Sequence, residues 1–138
     1  MSSDMKARDA LFDAARKATR HSVATYSGIR VAAALRAGSG EIVTGVNVES
    51  ASYGLTCCAE RVALFAALTE GHREFTALAL VSSVEPCLLP CGACRQLLAE
   101  YAMGATVWCS NLSRPDRIYE TTVAELLPDP LIYLPERR

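Results

Sequence analysis

Hydrophobic positions near the start of the chain recur at helical spacing, then switch to strand spacing. Leu11, Phe12, Ala15 and Ala18 share one helical face, while Arg8, Asp13, Arg16 and Lys17 fall elsewhere. Asp4 to Arg20 is therefore expected as an amphipathic helix. Ile29 to Leu35 reads as a strand, Gly38-Ser39-Gly40 as a turn, and Glu41 to Asn47 as a second strand, together a hairpin. Asn47 to Thr56 is polar and aromatic and reads as a loop. Ala59 to Leu68 is apolar nearly all round, which predicts a helix buried at the centre of the domain, with Gly71 just past its end. Ala77 to Val81 is expected as a buried strand, Pro86 to Pro90 as a loop, and Gly92 to Tyr101 as a helix through Ala93, Leu97, Leu98 and Tyr101. Ala105 to Cys109 predicts another strand and Arg117 to Tyr119 a short one. Thr122 to Leu127 predicts a brief helix stopped by Pro128 and Pro130. After Leu131 there is no pattern, and the chain contains no repeats. Strands alternating with helices after an opening hairpin predict a three-layer α/β domain with a mixed sheet.

Composition narrows this picture without redirecting it. A chain of 138 residues, 51% apolar and 21% charged, is expected as one domain spanning 1–138 with a core of its own. The formal net charge of −1 argues against a nucleic-acid polymer as partner, since phosphate binding wants a basic surface. No run approaches the ~20 apolar residues needed to span a membrane. The stretch from Met1 to Asp13 is mixed and charged and lacks the apolar core of a signal peptide, so a cytoplasmic protein is expected. Its six cysteines are then expected as reduced thiols, which directs attention to metal binding or catalysis.

Two short segments carry the chemistry: Cys58-Ala59-Glu60 and Pro90-Cys91-Gly92-Ala93-Cys94. Cys91 and Cys94 lie three apart at a predicted helix start, so both thiols project to one side, where the helix dipole favours their ionisation. Cys58, at the start of another helix, supplies a third thiolate. Three protein ligands with a fourth position left for water is the arrangement of catalytic Zn²⁺, whereas structural zinc is closed by four. Glu60 follows Cys58 by two residues and can stand beside the metal without ligating it. Hydrolysis of an amidine-like carbon needs such a group, because water must lose a proton and the leaving amine must gain one. Three thiolates on Zn²⁺ leave a charge of −1, so a compensating cation is expected. Arg61 and Arg95 both adjoin the motif, and Arg61 is favoured.

Ligand-x-Glu followed by Pro-Cys-x-x-Cys is the signature of zinc deaminases, and both halves stand here in order. The chain also resembles the small homotetrameric cytidine deaminases over most of its length. The resemblance runs through Tyr26-Ser27, Val31 to Leu35, Asn47-Val48-Glu49, Ala51-Ser52-Tyr53-Gly54, Cys58 to Arg61, Pro90 to Gln96 and Glu125-Leu126-Leu127-Pro128. It implies a five-stranded sheet with helices on both faces, a homotetramer, and a small-molecule nucleoside as substrate. By the same resemblance Cys58, Cys91 and Cys94 would ligate zinc, and Glu60 would shuttle the proton. The Ala59 amide would contact the base, Asn47 and Glu49 the ribose 3′-hydroxyl, and Tyr53 would reach a site across a subunit boundary.

Three positions depart from the family pattern. Ile29 and Leu131 stand where aromatic residues usually flank the base, and Ser50 stands where Asn is usual. Aliphatic side chains remove flat stacking surface, so a base pocket tolerant of substituted cytosines is expected. An alternative is the same chemistry on another aminated nucleoside, such as a blasticidin-S-type antibiotic or a modified cytidine, although Glu49 suits a ribose hydroxyl. A polynucleotide editor and a non-catalytic zinc or redox module are the remaining competitors. Away from the motif, Cys57, Cys87 and Cys109 read as small buried apolar residues. His21 and His72 read as solvated surface. Asn47 and Glu49 have a plainer reading as loop residues capping backbone groups.

Overall fold

In a computed structural model that describes residues 3–132, five strands form one mixed sheet in the order β2-β1-β3-β4-β5. The strands are β1 (Val31–Ala37), β2 (Ile42–Val46), β3 (Phe75–Ser82), β4 (Thr106–Asn111) and β5 (Tyr119–Thr122). β1 pairs antiparallel with both β2 and β3, β3 runs parallel to β4, and β5 returns antiparallel on the edge. The helices are α1 (Ser3–Ala18), α2 (Ala59–Thr69), α3 (Gly92–Tyr101) and α4 (Val123–Leu126).

Alternation along β1 sorts the chain into layers. Ala32 and Ala34 face α1, whose Leu11, Phe12 and Ala15 bury against them together with Ala77, Ala79, Val81 and Trp108. Ala33 and Leu35 face the other way, toward Ala59, Ala63, Leu64 and Ala67 of α2 and Leu98 and Ala99 of α3. A sheet buried on both faces by helices is the expected α/β/α sandwich. The parallel β3–β4 pair needs a long crossover, and α3 lies within it. Its start is therefore brought to the same end of the sheet as the start of α2.

One glycine controls that approach. A Cβ built on Gly45 of β2 would lie 2.4 Å from the Ala63 nitrogen and 2.7 Å from the Ala59 oxygen, both backbone atoms of α2. Gly45→Ala is expected to push α2 off the sheet and to destabilise the fold by about 3 kcal/mol. Urea unfolding checks this; a midpoint unchanged from the parent contradicts it.

Three expectations need correction. The edge strand is Tyr119–Thr122, not Arg117 to Tyr119, because its place is set by pairing with Thr106 to Cys109. α2 is not buried all round in the chain. Ala59, Ala63, Leu64 and Ala67 face the core, while Phe65 on the opposite side is 45% exposed. His72 is not solvated freely; its Nε2 lies 3.0 Å from a Glu41 carboxylate oxygen and 3.6 Å from one of Glu70. Gly71 lies just past the end of α2 as expected, with φ at +97°, a conformation suited to glycine. Among the described residues no helix is long and apolar enough to cross a membrane.

Candidate active site

Cys58 is the N-cap of α2 and Cys91 the N-cap of α3; Cys94 lies in the first turn of α3. Neither N-cap sulfur caps its helix by a side-chain hydrogen bond. The sulfurs are turned instead toward each other. Cys58 Sγ and Cys91 Sγ are 3.8 Å apart, and Cys91 Sγ and Cys94 Sγ are 3.6 Å apart. All three fall within 4.8 Å of one another, and among the described residues no fourth His, Cys, Asp or Glu joins them. Zinc–sulfur bonds of about 2.3 Å at a tetrahedral angle place sulfurs about 3.8 Å apart. The triangle therefore fits zinc in size as well as in chemistry.

The positive ends of two helix dipoles converge on these sulfurs and favour thiolates there. The Cys58 thiol is drawn down to about 5, first by hydrogen bonding from Cys94 and further by the Arg61 guanidinium. Cys94, as the proton donor of that pair and a buried group, is pushed up. A divalent cation bound here would take the place of these shared protons. Arg61 Nη2 lies 3.6 Å from Cys58 Sγ and 3.4 Å from the Thr56 carbonyl oxygen. Arg95 is committed elsewhere. Its Nε donates to the Pro90 carbonyl at 2.7 Å and its Nη1 to Leu126 at 2.9 Å, which ties the start of α3 to α4.

Glu60 is 4% exposed in the first turn of α2. It lines a cavity of about 170 Å³ with Val31, Asn47, Cys58, Ala59, Leu88 and Cys91. Its carboxyl is pushed up to about 7, chiefly by burial and also by the nearby Cys58 charge. In the cation-free protein the folded state therefore holds this proton more tightly than the unfolded chain. Stability gained from it is fully present below pH 4.5 and is lost as pH rises through about 7. Glu60→Gln cannot titrate, so the stability of the parent relative to this variant is expected to fall by about 3 kcal/mol over that interval. Urea titrations of both chelated proteins at the two ends of the interval check this; a difference independent of pH contradicts it.

A second cavity, of about 370 Å³, shares Thr56 with the first and is lined also by Tyr26, Ser27, Glu49, Ser50 and Tyr53. Asn47 and Glu49 thus face adjoining spaces. Asn47 brackets the backbone: its Nδ2 donates to Ile29 O and its Oδ1 accepts from Val31 N. Glu49 Oε1 accepts from the N–H groups of Tyr26 and Ser27, both at 2.9 Å, and the Ser27 hydroxyl donates to Oε2, which hold its carboxyl below the usual range. The capping reading of both residues is thus realised, and each keeps capacity for a further partner. Tyr53 is 84% exposed. Ile29 and Leu131 do not line the smaller cavity; Leu131 is 76% exposed, with its carbonyl accepting from Gln96 Nε2. Thr56, Leu88 and Leu89 were not singled out by sequence, having no motif of their own. Cys109 is buried as expected, whereas Cys57 and Cys87 are only partly so.

The family model for the cytidine and deoxycytidylate deaminase zinc-binding region matches residues 5–110. The chain belongs to this family. It is 45% identical over 122 residues to a cytidine deaminase of Halalkalibacterium halodurans, covering 88% of this chain and 91% of that one. A crystal structure of cytidine deaminase from Burkholderia pseudomallei superposes with a TM-score of 0.83 at 40% identity, over 95% of this chain and all of the other. A blasticidin-S deaminase of Bacillus cereus is more distant within the family, at 31% identity over 71% of this chain and 74% of that one. The ranking favours cytidine deaminases and gives no support to the antibiotic alternative.

Proposed function

We propose that the chain acts as a single catalytic unit, residues 1–138, that hydrolyses cytidine or deoxycytidine to the uridine product and ammonia. What carries this reading is one small cavity lined both by a buried carboxyl and by Cys58 and Cys91, two corners of a sulfur triangle of zinc dimensions. Cys58, Cys91 and Cys94 would hold Zn²⁺, with Arg61 offsetting the excess thiolate charge. The ion would supply Lewis acidity that makes water nucleophilic near neutral pH. Glu60 takes a proton from the water whose oxygen bonds to C4 of the pyrimidine and passes it to the ring nitrogen. It then takes the proton of the new C4 hydroxyl and delivers it to the amine, so that C4=O forms as the C4–N bond breaks and ammonia leaves. Burial disfavours the charged form of this carboxyl, which suits it to take up a proton and hold it until the amine leaves.

The other residues orient the nucleoside. The Ala59 amide contacts the base, and Asn47 and Glu49 hold the sugar hydroxyl. Ile29 and Leu131, exposed and outside the smaller cavity, would leave the base without a flanking aromatic ring, and Tyr53 would complete a neighbouring site in a homotetramer. Support for the assembly is a set of exposed apolar side chains, Tyr26, Tyr53, Leu55 and Phe65, of which Tyr26 and Tyr53 line the larger cavity. The place of such an enzyme is cytoplasmic pyrimidine salvage. Ammonia release from a nucleoside panel tests the reading. Turnover of cytidine and deoxycytidine is expected, with single-stranded DNA left untouched; a panel with no turnover contradicts it.

A further inference from the structure

Ser22 lies just after the 3₁₀ turn Thr19–His21 that follows α1, and its N–H donates to the Thr19 carbonyl at 3.1 Å. Ending the turn there delivers its hydroxyl to a residue 25 positions away, where it donates to Asn47 Oδ1. The same oxygen accepts from Val31 N–H at 2.9 Å, and Asn47 Nδ2 donates to the Ile29 carbonyl at 2.8 Å. A carboxamide offers two acceptor sites and two donor hydrogens. Ser22 and Val31 fill both acceptor sites, and Ile29 takes one hydrogen. A single N–H remains for the cavity that Asn47, 7% exposed, lines with Cys58 and Glu60.

We propose that Ser22 is a positioning residue: by saturating Asn47 Oδ1 it makes Asn47 a donor only toward the cavity, so that a ligand oxygen must accept there. Val31 and Ile29 already fix which way round the carboxamide sits. Ser22 adds a second donor to the oxygen, which polarises the amide and strengthens its remaining N–H as a donor. Ser27 treats Glu49 in parallel, its hydroxyl on Oε2 and the backbone on Oε1, leaving one acceptor site free. A ligand group that accepts from Asn47 and donates to Glu49 is a hydroxyl. The inference rests on the assignment of Asn47 to the sugar under the proposed function.

Steady-state kinetics of the parent, Ser22→Ala and Ser22→Thr on cytidine and 3′-deoxycytidine test it. Ser22→Ala is expected to raise KM for cytidine about fivefold with kcat little changed, and Ser22→Thr, which keeps the hydroxyl, to restore it. On 3′-deoxycytidine, which lacks the accepting oxygen, the parent and Ser22→Ala are expected to have the same KM. An equal loss on both nucleosides, or no loss on cytidine, overturns the role of Ser22. A parent that does not distinguish the two nucleosides overturns the assignment of Asn47 to the sugar. A parent that turns over neither overturns the deaminase reading itself.

Discussion

Glu60→Gln is expected to lower kcat by at least about a thousandfold while the protein keeps its fold and its cation. In the proposed reaction one carboxyl carries a proton at both halves, so its loss would remove acid and base catalysis together. Each such contribution is typically worth about 10² to 10⁴ in rate. A thousandfold fall corresponds to about 4 kcal/mol of transition-state stabilisation. Glutamine matches the shape of glutamate and has no charge to bury, so the fold of α2 is not at risk. Metal content and kcat measured on the same preparation check the prediction. A variant within tenfold of the parent would show that the protons travel by another group, and a variant that loses its cation would show that Glu60 is a ligand.

The second large effect is expected at the sulfurs. Replacing Cys91 by Ser removes one of the three proposed ligands and breaks the triangle shared by the starts of α2 and α3. Residues that merely support metal ligands cost about 10- to 100-fold in affinity when changed, so loss of a ligand is expected to exceed about a hundredfold. Turnover is expected to fall below detection. The cation should also raise the thermal midpoint of the parent, since it binds the folded state alone, and fail to raise that of the variant at the same concentration. Cys57→Ser, one residue from the triangle but outside it, is the control and should leave both readouts near the parent. Midpoints that respond equally to zinc in Cys91→Ser and the parent would place the cation elsewhere.

These residues were legible in the sequence because the chemistry constrains their spacing locally. Cys58 and Glu60 lie on one helix start, and Cys91 and Cys94 on another, so helical geometry alone sets each half of the site. The helix over Gly92–Tyr101 and the opening hairpin were legible for the same reason: the hydrophobic period and the flanking turns are local signals. The misplaced edge strand shows where that logic stops. Tyr-Glu-Thr-Thr has no apolar alternation to read, and only pairing with β4 makes it a strand. The nearly uniform apolar surface of α2 likewise could not say which side meets the sheet. Close contact with Gly45 of β2 decides that. His72 and Ser22 were opaque because their partners, Glu41 and Asn47, lie 31 and 25 residues away with no shared motif.

X-ray absorption at the zinc edge of the purified, zinc-loaded protein reads the ligand shell itself. Three sulfur neighbours at about 2.3 Å and one lighter atom at about 2.0 Å are expected. A shell of four sulfurs, or a protein with no bound zinc under saturating metal, would contradict it.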